Sequence, residues 1–352
     1  MKIGILTFSR THNFGAILQC FALQQTLKDL GHEVLVIDYK QPYIESTNRP
    51  FTLSALFKKI MNPKDLYGYI RTIRNRYLSE KRFESFKNKF LTCSTPCTST
   101  SIPQDFDAYI IGSDQVWSID CTLKPDPVFW GGFKRNTQTR LYSYAISTNL
   151  KSVKSIDEYM WKKVAILFDN LSFREKAVAN YVQNKTRKDV NVNIDPTLLI
   201  DAEVWYNVID SDCKSDNYIL VYEARNKVGE ENALLNFASM LAKRKQCNVI
   251  NLTYDYSPQD FVTLFAHANY IITSSFHGCV FGLIFKKPMS VVCLGDGHDD
   301  RYVDLLTSIG AESALMSLDD QIHENQIDYV SISAKLNELR KTSIKYLETI
   351  LE

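Results

Sequence analysis

The stretch Tyr270–Ser290, YIITSSFHGCVFGLIFKKPMS, constrains this chain more than any other. Tyr270–Thr273 is a short apolar run, as a buried strand would be. Ser274 and Ser275 follow, and either can cap a helix. His277 and Gly278 then open an apolar helix expected over Gly278–Phe285. Lys286, Lys287 and Pro288 end it, and a strand is expected over Met289–Leu294. In an open α/β sheet the Ser-Ser-x-His-Gly turn lies at the carboxyl ends of the strands, where ligands bind. The amides of a helix start attract an anion, and Gly278 is expected to let that anion come close. His277 has two readings: a histidine packed in the core, or an acid–base group beside the anion.

The rest of the chain repeats the α/β alternation. Residues 2–7 read as a strand and Phe8–Asn13 as a polar loop. Ala16, Cys20, Leu23, Leu27 and Leu30 then recur in steps of four and three, the apolar stripe of a helix. With Val34–Asp38 as the next strand, this is a βαβ opening and a parallel sheet. No G-x-G-x-x-G joins strand to helix, which disfavours a dinucleotide site. The turn instead carries Asn13 and Gly15, with Gln19 one turn into the helix. Asp38 can touch a ribose hydroxyl or be an ordinary strand-end aspartate.

Ala108–Ile111 is a strand, and 112–115 reads as a polar turn that offers Asp114 and Gln115 to a ligand or caps a helix after it. Residues 141–147 form another strand, 161–170 an amphipathic helix, and 171–176 a strand ending in Arg174. An arginine buried alone would be costly, so Arg174 should meet an anion, either a structural carboxylate or a ligand. Residues 201–214 look like a polar crossing segment. A second sheet starts at Tyr218–Glu223, and Ser257-Pro258 opens one of its helices. After the Gly295–Asp300 loop comes Arg301 with a short helix, and 331–352 is one long helix.

At 352 residues the chain is long for one core. The expected domains are 1–200 and 201–330, with helix 331–352 as an additional element of the first. The fold class is α/β, two Rossmann-like parallel-sheet domains facing a cleft. The turns of one side carry Asn13, Gly15, Asp114, Gln115 and Arg174, and those of the other Ser274–Gly278 and Arg301. Two arginines with a helix N-terminus make an anion pocket, and His277 beside it an acid–base site.

Lys and Arg number 41 against 40 Asp and Glu, so no overall field points to nucleic acid. No apolar run reaches the length of a membrane span. The N-terminus reads as a first strand and not a signal peptide. The eight cysteines are scattered, and Cys93 and Cys97 have no histidine at a zinc spacing, so a reducing cytoplasm and no metal are expected. Residues 51–92 are helical, aromatic and basic. They are either a solvated helix pair or a docking face for an anionic acceptor or lipid headgroups at the inner face of the membrane. Thr92–Pro103 is a Ser/Thr/Pro-rich linker.

These segments together resemble the polysaccharide pyruvyl transferases. HNFGAILQCFALQQTLKDLGHEVLVIDY (12–39) is similar to the family's opening Asn-Tyr-Gly-Ala-x-Leu-Gln pattern, with Phe14 in place of the tyrosine. DAYIIGSDQVW (107–117), YAIS (144–147), SFREK (172–176), DPTLLI (195–200), SSFHG (274–278) and DRYVDLL (300–306) resemble later blocks in the same order. The resemblance implies a GT-B-like fold and transfer of pyruvate from phosphoenolpyruvate, a co-substrate and not a cofactor, onto two hydroxyls of a sugar or lipid-linked oligosaccharide. By position it implies Arg174 and His277 as catalytic. Arg174, Ser274, Ser275, Gly278 and Arg301 are then expected to bind the donor, and Asn13, Gly15, Gln19, Asp114 and Gln115 the acceptor. Some members carry an arginine two residues before the histidine; this chain has Ser275 there, so Arg301 or an arginine from elsewhere would supply the charge. A GT-B glycosyltransferase using a nucleotide sugar and a non-catalytic carbohydrate-binding relative are the alternatives.

Overall fold

The computed structural model describes residues 1–48, 63–209, 217–224, 232–295, 297, 299–317, 324 and 327–352. They form two compact units, Met1–Pro196 with Lys345–Glu352, and Thr197–Ile344. The boundary thus falls four residues before the one expected at 200. Of the C-terminal helix, Tyr329–Leu351, only the part from Lys345 groups with the first unit. There Tyr346 donates its hydroxyl proton to the Ser143 carbonyl at 2.9 Å.

The first unit holds a six-stranded sheet: β1 (Lys2–Leu6), β2 (Glu33–Val36), β3 (Ala108–Asp114), β4 (Arg140–Ile146), β5 (Leu171–Phe173) and β6 (Val190–Val192). All pairings are parallel, in the order β2-β1-β3-β4-β5-β6. The order reverses between β1 and β3, and at such a switch point the loops diverge and leave a crevice. Helix α1 (Phe14–Asp29) follows β1, and Asn13 caps it by accepting the Ala16 amide at 3.0 Å. The core beneath is aromatic: Trp117 and Trp130 stack at 4.0 Å, and Trp161, Phe168 and Phe173 pack against Trp117. The tryptophan of the GSDQVW block is therefore a core residue.

Several sequence expectations change here. The 112–115 turn begins inside the sheet, because β3 runs on through Asp114. Gly112 has a φ of 110°, and a Cβ there would lie 2.4 Å from the Tyr144 carbonyl oxygen. The helix expected over 161–170 spans Glu158–Leu167. The 92–103 linker is tied down: Cys93 and Cys97 bridge to Val36 and Tyr39, and Gln24 exchanges hydrogen bonds with the Thr92 backbone.

Of the basic segment, 51–62 lies outside the described residues, and Pro63–Phe90 is one 28-residue helix. It is not wholly a solvated face. Lys87 is buried, and its ammonium meets Asp38 at 2.7 Å, while Arg10 pairs with the same carboxylate at 2.9 Å. Asp38 is thus the structural aspartate of its two readings. Burial pushes its pKa up, but the hydrogen bonds from Lys87 and Arg10 outweigh this and hold it below the usual value. A carboxylate with a lowered folded pKa stabilises above its unfolded pKa, about 3.9, and that contribution is lost as pH falls through the folded value. Lys87→Met should therefore flatten the acid limb of a melting-temperature profile below about pH 4. An unchanged acid limb would contradict the pairing.

The second unit's sheet is also parallel, in the order β11-β10-β9-β7-β8. Its strands are β7 (Tyr218–Tyr222), β8 (Asn248–Asn251), β9 (Tyr270–Thr273), β10 (Met289–Cys293) and β11 (Leu315–Ser317). The switch point lies between β7 and β9. Pro258–His267 opens with a capping box in which Ser257 Oγ accepts the Asp260 amide and Asp260 accepts the Ser257 amide. The crossing segment expected over 201–214 contains a helical stretch, Ala202–Tyr206, with Trp205 buried against Phe281. Each unit is by itself a parallel α/β sheet of the Rossmann-like kind expected.

Candidate active site

In the second unit the central stretch folds as β9, a two-residue turn and a helix, α2 (Phe276–Ile284). That helix starts two residues earlier than its apolar run suggests, because Ser275 is its N-cap and accepts the Gly278 amide at 3.4 Å. The turn is cross-braced. Thr273 Oγ1 donates to the Tyr222 carbonyl at 2.7 Å and accepts the Ser275 amide at 3.1 Å, and the Ser274 amide donates to the Tyr222 carbonyl at 3.4 Å. The amides of Ser274, Ser275 and Gly278 are thus engaged inside the turn.

Gly278 has a different purpose from the one expected. A Cβ on it would stand 2.1 Å from Thr273 Oγ1 and 2.9 Å from Thr273 Cβ. Its missing side chain lets α2 pack on β9 and keeps the Thr273 brace, so clearance for an anion is not what requires glycine. Gly278→Ala should overpack this contact and destabilise by about 1–3 kcal/mol in a urea melt. A variant as stable as the parent would mean that the helix shifts without cost.

His277 lies in the first turn of α2, 8% exposed, at the switch point of its sheet. The helix start carries partial positive charge. Its neighbour Phe276 packs edge-on to the imidazole at 5.2 Å and lies under the Arg301 guanidinium at 6.0 Å. Arg301 is in the first turn of a third helix, α3 (Asp300–Ile309). One ring therefore links the predicted histidine and the predicted later arginine. Asp299 fixes this region by accepting the Gly295 amide at 2.7 Å and the Tyr302 hydroxyl.

Two residues of this region carry no sequence signal and emerge only from the fold. Tyr222 ends β7, and burial raises its phenol pKa, with Tyr254 adding to the rise and the hydrogen bond with Ser275 opposing it. Glu223 follows it, and burial raises its carboxyl pKa. The apolar strand run masks both.

In the first unit, Arg174 stands just past β5 with its side chain 6% exposed. Its Nη2 meets the fully buried Asp195 at 2.6 Å and donates to Ser113 Oγ at 2.7 Å. Ser113 Oγ in turn donates to the Ala145 carbonyl, and its own carbonyl accepts the Thr7 hydroxyl. Next in the chain, Glu175 accepts the Ser147 hydroxyl at 2.6 Å and the Thr148 amide at 3.2 Å. The carboxyl ends of β1, β3, β4 and β5 are thus joined by a buried polar network.

Asp114 is mostly buried with a φ of 75°, a left-handed conformation that is costly for an aspartate. Gln115 follows it and accepts the Cys121 thiol at 3.8 Å. Gln19 is fully buried and donates to Thr7 Oγ1 and the Ala16 carbonyl, and Asn13 is the cap of α1. Gly15 is buried in the first turn of α1. Of the residues expected at the acceptor, Asn13 and Gln19 therefore have structural work of their own.

Among the described residues no three His, Cys, Asp or Glu side chains come together as a metal-ion site. No helix among them is long and apolar enough to cross a membrane.

The family model described as "Polysaccharide pyruvyl transferase" matches residues 13–292. No curated protein sequence is significantly similar to the chain. Among solved structures, UDP-GlcNAc 2-epimerase from Methanocaldococcus jannaschii is 11% identical, covers 96% of this chain and 92% of its own, and has a TM-score of 0.47. UDP-GlcNAc 2-epimerase from Neisseria meningitidis, bound to UDP-GlcNAc, is 12% identical with coverages of 98% and 100% and a TM-score of 0.44. The spinosyn forosaminyltransferase SpnP is 13% identical with coverages of 98% and 94% and a TM-score of 0.41. None of these three likenesses is close enough to carry an argument.

Proposed function

This chain belongs to the polysaccharide pyruvyl transferase family, and on that premise we propose that it moves pyruvate from phosphoenolpyruvate onto two hydroxyls of a sugar in surface polysaccharide biosynthesis, forming a cyclic ketal. The observation that carries this reading is His277 in the first turn of α2, with Arg301 against the same Phe276 ring. A donor with a phosphate and a carboxylate on three carbons suits the partial positive charge at the start of α2 and the Arg301 guanidinium.

In the proposed reaction His277 gives a proton to the methylene carbon of the enol, and the carbon bearing the carboxylate becomes cationic. An acceptor hydroxyl adds there and loses its proton. Phosphate leaves, and a second hydroxyl adds with loss of its proton to close the ring. Of the two hydroxyl protons, one restores His277 and the other leaves with phosphate. Phosphoenolpyruvate and a diol thus give a ketal and inorganic phosphate. Asp114 and Gln115 are the first unit's groups for binding acceptor hydroxyls. The exposed Arg74, Arg76, Lys81 and Lys89 of Pro63–Phe90 suit contact with the headgroups around a lipid-linked acceptor at the membrane's inner face.

The test is incubation of the purified protein with phosphoenolpyruvate and an envelope lipid-saccharide extract. Phosphate release that needs both, with a product heavier by one pyruvate ketal, is expected. Consumption of a nucleotide sugar in place of phosphoenolpyruvate would overturn the reading.

A further inference from the structure

A cavity lies in the first unit, at the far end of β4 from Ser147. It measures 490 Å³ and is lined by residues 133–140 together with Ile166, Leu167 and Asp169. This volume is within the range of small-molecule sites, about 300–1,000 Å³. It sits where β4 begins, at Arg140, whereas the polar network around Arg174 and Glu175 sits where β4 ends. Seven strand residues separate the two by roughly 20 Å.

The charge of this cavity is one-sided. Lys134, Arg135 and Arg140 line it, and Asp169 is the single carboxylate among its lining residues. That carboxylate pairs with Arg140, accepting from its Nη1 at 2.9 Å, and also accepts the Leu141 amide at 2.8 Å, so Lys134 and Arg135 remain as the net positive charge of the lining. Lys188 adds a further positive charge beside it, donating to the Phe168 carbonyl at 2.6 Å. Arg135 is held in a fixed pose by two neutral acceptors, the Gly131 and Leu167 carbonyls, each at 3.0 Å, and packs over Phe133 at 5.7 Å. Neither carbonyl carries a formal charge that would neutralise this half-buried guanidinium. Asn136, Thr137 and Gln138 are exposed along the same loop and add neutral hydrogen-bonding groups. Phe133, Ile166 and Leu167 give an apolar wall, and Ile166 is 82% exposed beside it.

We propose that this cavity binds a small phosphorylated metabolite, with its phosphate on Lys134, Arg135 and Arg140 and its organic part against Phe133, Ile166 and Leu167. The site is built from first-unit residues alone, whereas the His277 turn belongs to the second unit, and it stands whether or not the transferase reading holds.

Calorimetric titration with inorganic pyrophosphate tests it on the whole chain. Saturable binding is expected that weakens with added salt. Lys134→Ala/Arg140→Ala should weaken it about tenfold or more, since charge-assisted hydrogen bonds to an anion are lost. Gln138→Glu, which sets a like charge against the phosphate, should weaken it too, while Arg301→Ala should leave it intact. All three substituted lining side chains are exposed, so their melting temperatures should match the parent. The proposal is overturned by the absence of saturable binding, by binding that neither lining variant changes, or by binding that Arg301→Ala removes.

Discussion

Replacing Arg174 by methionine is expected to destabilise the chain by about 3–5 kcal/mol, the usual consequence of removing one partner of a buried ion pair. The partner left behind is Asp195, whose side chain is fully buried. The loss would also remove the donor to Ser113 Oγ, which joins β3 to β5. Family resemblance places this arginine at the donor, and its geometry adds a structural duty that comes with folding. Two variants separate these roles. Arg174→Met/Asp195→Leu removes both charges and should recover most of the stability, because apolar replacement of a whole buried pair is often neutral. If the recovered double variant still binds phosphoenolpyruvate, Arg174 acts through the fold; if it is stable and binds none, Arg174 is itself a donor ligand. A single variant within about 1 kcal/mol of the parent would contradict the burial argument.

Replacing His277 by alanine should lower turnover by about 10²–10⁴-fold, the range lost with a positioned acid–base group. The KM for phosphoenolpyruvate should change less, since the phosphate and carboxylate contacts belong to other groups. Alanine is the best helix former, so the start of α2 should survive the change. The readout is acceptor-dependent phosphate release. Equal turnover in the variant would remove His277 from the mechanism and leave it as a packed core histidine.

Much of this fold is written locally. The β9–turn–α2 unit and the Ser257 cap each arise from residues within one or two turns of one another, whereas α1 is buried on nearly every side and not along the one stripe expected. The non-local part is missing from the sequence. The strand order β11-β10-β9-β7-β8 puts the His277 turn at a switch point, and no pattern within Tyr270–Ser290 contains that order. Arg174 reads as an anion seeker, but its carboxylate stands beyond the next strand, at Asp195. Lys87 looks like its basic neighbours on Pro63–Phe90 until the fold brings Asp38 against it. Gly278 shows the same limit from the other side. Its position in a polar turn suggests room for a ligand, whereas the neighbour that demands glycine is Thr273. The 92–103 segment misleads by composition, because Ser, Thr and Pro mark loops whether or not a strand edge holds them.

The most direct test of the central claim is a thermal-shift measurement with phosphoenolpyruvate against UDP, GDP and inorganic phosphate. With the donor at about 100 times its Kd, binding should stabilise the chain by roughly 2.7 kcal/mol. The account predicts a rise with phosphoenolpyruvate that Arg301→Ala diminishes and that the nucleotides do not reproduce. A rise with UDP or GDP and none with phosphoenolpyruvate would contradict it.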